Sequence, residues 1–77
     1  MSTSELEAQV LLLVRLHLYA QAAEHAVVYR EQFRVIRERI VREGPGSSPR
    51  GSFPSVFWGA FWDEVQRRRG AGETVVI

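Results

Sequence analysis

The 77-residue chain contains no cysteine, and its basic residues are ten arginines with no lysine. The first absence removes disulfides and every thiolate metal site. The second removes a Schiff-base lysine, an ammonium general base and the lysine of a phosphate-binding loop. Long apolar runs are missing too. The longest, Val10 to Val14, stops at Arg15, well short of the ~18 residues a membrane-spanning helix needs. The opening Met-Ser-Thr-Ser-Glu-Leu-Glu carries no basic segment of a secretory signal. A soluble, cytoplasmic protein is the expectation. Nine acids leave a net charge of only +1, whereas a dedicated nucleic-acid binder usually carries a larger positive excess.

One small domain fits this length. A chain of this size buries only ~60% of the surface it would expose unfolded. With no disulfide and no thiolate metal to staple it, association with another chain becomes the expected support.

Glycine and proline are absent from Glu5 to Glu43, then arrive together at Gly44-Pro45-Gly46. This predicts one long helix over 5–43, started by Ser4 as N-cap with Glu7 reaching back to complete a capping box. Such a helix is ~58 Å long, so a bend or break near Ala20–Ala23 is anticipated. Its halves differ. All six leucines lie between Leu6 and Leu18, and Arg15 is the one charge from Ala8 to Ala23. From Glu24 onward the helix is amphipathic, with Ala26, Phe33 and Ile40 at heptad a and Ala22, Tyr29 and Ile36 at d. The flanking positions hold Arg30, Arg37, His25, Gln32 and Arg39 and no acid. Two copies of this seam would repel, so it calls for a different cover.

Residues 44–54, rich in Gly, Pro and Ser, read as a loop, and 44–52 as the first place a protease would cut. A second helix is expected over 55–69, capped by Ser52 or Ser55 and ended by Gly70, with Arg67, Arg68 and Arg69 at the negative end of its dipole. Phe57 and Phe61, like Trp58 and Trp62, are spaced four apart and form a broad aromatic face. That face is the expected cover of the Tyr29/Phe33/Ile36/Ile40 seam, with Asp63 and Glu64 approaching Arg30 or Arg37. Gly59 in mid-helix suggests a close backbone approach. Residues 70–77, ending Thr-Val-Val-Ile, read as a frayed tail.

The expected fold is therefore all-α: a helical hairpin of one long N-terminal helix and a shorter aromatic C-terminal helix, part of a dimeric bundle or docked on a partner.

Motifs for chemistry are sparse. Gly46 to Ser52 has the glycine spacing of a phosphate-binding loop but lacks its lysine and a preceding strand. His17, Gln21 and Glu24 share a helical face, read as a solvated stripe because no second carboxylate joins them. His25 reads as a hydrogen-bonded histidine at a helix interface. Neither a catalytic centre, a metal site nor a cofactor site is expected. The alternation around Leu16-His17-Leu18 would also suit a strand.

Function is expected to be binding rather than catalysis. The second helix spans only ~23 Å, enough to cover about residues 26–42 and to leave the leucine-rich half bare. The candidate partner-binding residues are Leu11, Leu12, Val14, Arg15, Leu16 and Leu18, and the partner is either a second copy or a larger protein. The competing reading is a nucleic-acid contact through Arg67, Arg68 and Arg69. A membrane surface is a weaker candidate for the aromatic helix.

Overall fold

The computed structural model describes residues 2–43 and 53–77. Residues 44–52, which include the phosphate-loop-like spacing and most of the expected loop, lie outside the described residues. The regular elements among those described are all helices, in the order α1 (Thr3–Arg15), α2 (Tyr19–Val28), α3 (Arg30–Glu43) and α4 (Ser55–Gly70). No strand occurs among them, so residues 10–19 do not form one.

The continuous helix expected over 5–43 is three helices. The first break falls at Leu16–Leu18, ahead of the anticipated Ala20–Ala23. Here His17 takes φ 59°. Its N–H donates to the Val14 carbonyl at 3.0 Å and the Leu18 N–H to the Leu13 carbonyl at 2.9 Å. These are the two bonds of a Schellman motif, with His17 in the left-handed position usually given to glycine. The second break is a single residue, Tyr29, at φ −104° and ψ 44°. The Arg30 guanidinium donates back to the Val27 carbonyl at 3.3 Å and so caps an acceptor at the broken end.

These breaks let α1 fold back on α2 and α3. Leu6 and Val10 of α1 join Ala22, Ala23, Ala26 and Val27 of α2, Phe33 and Ile36 of α3, and Phe57, Phe61 and Val65 of α4 in one buried core. The alanines of α2 keep it slim enough to lie between neighbours. The α4 helix runs along α2, and Phe33 reaches over from α3 to meet it. The Phe33 ring lies 5.2 Å from that of Phe61 and 6.0 Å from that of Phe57. The aromatic face therefore does meet the seam at Phe33, but α2 takes most of α4's length.

Several local expectations are corrected. Ser2, not Ser4, caps α1, its hydroxyl accepting from the Glu5 N–H at 3.2 Å. Glu7 does not close a capping box; it is 96% buried and pairs with Arg39 of α3. Pro54 stands at the N-cap of α4, with Ser55 already helical. Among the described residues nothing lies within 4 Å of where a Gly59 Cβ would sit, so none of their backbone makes the close approach expected there. Glu64 turns to Arg67 and Arg68 of its own helix rather than to α3, and Arg37 lies over the Trp62 ring at 5.2 Å.

The end of α4 is a second Schellman motif. The Gly72 N–H donates to the Arg69 carbonyl and the Glu73 N–H to the Arg68 carbonyl, both at 3.0 Å. Gly72, at φ 91°, fills the left-handed place expected nearer Gly70. The tail beyond it is not frayed: Val75 is buried and Ile77 packs against the core.

Candidate interaction surfaces

Folding α1 back divides the leucine-rich half. Leu6 and Val10 are fully buried, and Leu11, Leu13 and Val14 are partly buried against the core. Val14 thus belongs to the packing side rather than to a free face. The expectation that the whole leucine half lies bare fails for this reason: a helix that turns at residue 17 can pack on its own successors, which a straight helix cannot.

What stays outside is a narrower stripe. Ala8, Leu12 and Leu16 recur every fourth residue and so line one side of α1. Leu12 is 56% exposed and Leu16 58%. Leu18 follows beyond the turn and is also exposed, and Arg15 ends the last turn of α1, where its charge suits the dipole. Ser4, Ala8, Leu11, Leu12 and Arg15 line a shallow groove of about 440 Å³. Of the six residues expected at the partner face, the structure keeps Leu12, Arg15, Leu16 and Leu18 outward and places Leu11 at the groove edge.

The arginine end of α4 looks different from a free cationic patch. Arg67 pairs with Glu64. Arg68 Nε lies 2.7 Å from Glu64 Oε1, and Arg68 Nη1 lies 3.2 Å from Glu73 Oε2. The hydrogen bond that Arg68 donates to Glu64 holds its guanidinium above the ordinary pKa against the opposing cost of burial, with Glu73 adding to the effect. Arg69 donates to the Val75 carbonyl through Nε at 3.2 Å and Nη2 at 2.9 Å. All three arginines are engaged within the chain.

A second surface depression, about 430 Å³, is lined by Leu13, Gln21, Glu24, His25, Val28 and Tyr29. His25 was expected to be hydrogen-bonded at a helix interface. Its ring instead sits 5.0 Å from the Tyr29 ring, with Nε2 shielded from solvent and, among the described residues, without a hydrogen-bond partner. An unmet buried nitrogen costs ~1–3 kcal/mol. Gln21 and Glu24 are both exposed, in keeping with a solvated stripe. Among the described residues no group of three or more His, Cys, Asp or Glu side chains is placed to hold a metal ion, and no helix is long and apolar enough to cross a membrane.

Sequence reasoning missed Glu7–Arg39 and the arginine contacts of the tail. Both join residues more than thirty positions apart or across a loop, and spacing carries no signal at that range. Compared with protein-family models, curated proteins and solved structures, the chain matches none of them.

Proposed function

We propose that the protein is a non-enzymatic protein–protein interaction module, a small adaptor, inhibitor or accessory subunit, that docks through the outer side of α1. The observation that carries this reading is the exposure of Leu12 and Leu16, one turn apart, with Leu18 close behind in sequence and Arg15 at the rim. Single exposed leucines are ordinary on protein surfaces, whereas a contiguous apolar stripe beside a groove marks an interaction site. Covering a leucine is worth ~1.5–3 kcal/mol, so the Leu12–Leu16 pair supplies on the order of a hundredfold or more in affinity.

The partner is a second copy of the chain or a larger protein. The nucleic-acid reading loses support from the internal engagement of Arg67, Arg68 and Arg69. Sedimentation over a range of concentrations, for the wild type and for Leu12→Glu/Leu16→Glu, tests the proposal. Both positions are exposed, so the variant keeps its fold, checked by helix content. A mass that rises with concentration in the wild type and stays that of one chain in the variant identifies self-association through this face. For a larger protein, the same pair of proteins is compared in a binding assay. Identical mass and identical partner binding in both would move the interface elsewhere.

A further inference from the structure

The chain's own tail is held like a bound peptide. Arg30 Nη2 donates to the Thr74 carbonyl at 3.2 Å, and Arg69 grips the neighbouring Val75 carbonyl through two nitrogens. Glu73 lies between two cations: Arg30 Nη1 at 3.6 Å and Arg68 Nη1 at 3.2 Å. Beyond it, Thr74 and Val76 are exposed while Val75 is buried and Ile77 is half-buried against the core. That alternation has the period-two pattern of an extended strand.

Two kinds of recognition are combined here. Guanidinium contacts to main-chain carbonyls grip any extended chain. The side-chain seats select what it carries: an acid first, a small aliphatic two residues on, and another aliphatic two further. The seat is built by α3 and α4, and Arg30 is steadied by its second bond to Val27 of α2. Arg30 of α3 and the adjacent Arg68 and Arg69 of α4 converge on five residues that follow a two-glycine turn at Gly70–Gly72.

We propose that this seat is a peptide-recognition site for extended segments of the form acid–x–Val–x–aliphatic, occupied in cis by residues 73–77. It is distinct from the α1 face and does not rest on it. A partner segment of that form enters by displacing the tail. Gly72, at positive φ, is the pivot: once the Glu73 N–H lets go of the Arg68 carbonyl, residues 73–77 lift together and free the acid seat along with the two aliphatic ones. The tail competes at an effective concentration in the millimolar range, as expected for a short tether, so the intact chain takes the peptide more weakly than a chain whose tail is released.

The test uses the full chain and a synthetic Gly-Glu-Thr-Val-Val-Ile peptide. In the intact protein, peptide at ~10 mM, above the tether's effective concentration, is expected to move the methyl resonances of Val75 and Ile77 to random-coil positions while those of Leu6 and Val10 stay fixed. In Val75→Asp, which releases the tail, a labelled peptide is expected to bind several-fold to about tenfold tighter than to the intact chain. Adding Arg69→Ala to that variant should abolish the binding. The proposal is overturned if the tail methyls do not move in the intact chain. It is equally overturned if Val75→Asp keeps its helix content and binds no peptide. Binding that persists when the peptide's first Val and its Ile are replaced by Ser would report a generic anion contact and overturn it too, as would an oligonucleotide displacing the tail where the peptide does not. Should Val75→Asp unfold, the intact-chain displacement decides alone.

Discussion

Truncating Phe61 to alanine should come close to unfolding the protein. Phe61 is fully buried, and its ring centroid lies 5.2 Å from Phe33, 5.7 Å from Trp58, 6.1 Å from Phe57 and 5.0 Å from Trp62. A buried aromatic removes roughly 150–250 Å² from water, and at ~25 cal/mol per Å² this is about 4–6 kcal/mol, of which alanine retains a part. The lost ring pairs and the cavity bring Phe→Ala to about 3–5 kcal/mol. A domain this small has a total stability of ~5 kcal/mol. Its melting entropy, at ~2.1 cal/mol/K per residue, makes each kcal/mol worth about 6 °C. Phe61→Ala should therefore lower Tm by about 20–30 °C in a circular-dichroism melt, or leave no transition at all. Phe61→Leu, which keeps most of the volume, should lose less than half as much. A Phe61→Ala melt within about 5 °C of wild type would refute the packing of α4 on α2 and Phe33, because no rearrangement of a core this small refills a whole ring.

Three other substitutions test local points. His17→Gly relieves a left-handed residue that costs about 1–2 kcal/mol and gives back ~0.5–1 kcal/mol in chain entropy. A net gain of about 0.5–1 kcal/mol is expected, and a lower Tm would contradict the Schellman turn at residues 16–18. Gly59→Ala meets empty space and should stabilise α4 by about 0.5–1 kcal/mol; a loss in chemical denaturation would mean that something packs on that backbone. Glu7→Gln weakens the pairing of a 96% buried carboxylate with Arg39 of α3 and should cost about 1–2 kcal/mol. An unchanged denaturation midpoint would argue against the docking of α1 on α3.

The sequence by itself determined a good deal. The glycine- and proline-free span to Glu43, the four-residue spacing of Phe57 and Phe61, and the run Arg67–Arg69 established helices, an aromatic packing face and a dipole-matched helix end. Even the meeting of Phe33 with Phe57 and Phe61 was legible, because hydrophobic periodicity says which side chains must leave water. It also drew attention to the leucine-rich half, of which Leu12, Arg15, Leu16 and Leu18 stand outward. Tertiary structure decided the rest. A left-handed turn at His17 has no signature where glycine is absent; it exists because the core gained by folding α1 back exceeds the ~1–2 kcal/mol of strain. That one turn moved Leu6 and Val10 from a free face into the interior, set Val14 against the core and gave Glu7 a partner 32 residues away. The tail is the same case. Thr-Val-Val-Ile looks frayed in isolation, since its seat consists of Arg30, Arg68 and Arg69, which only the packed helices bring to one place.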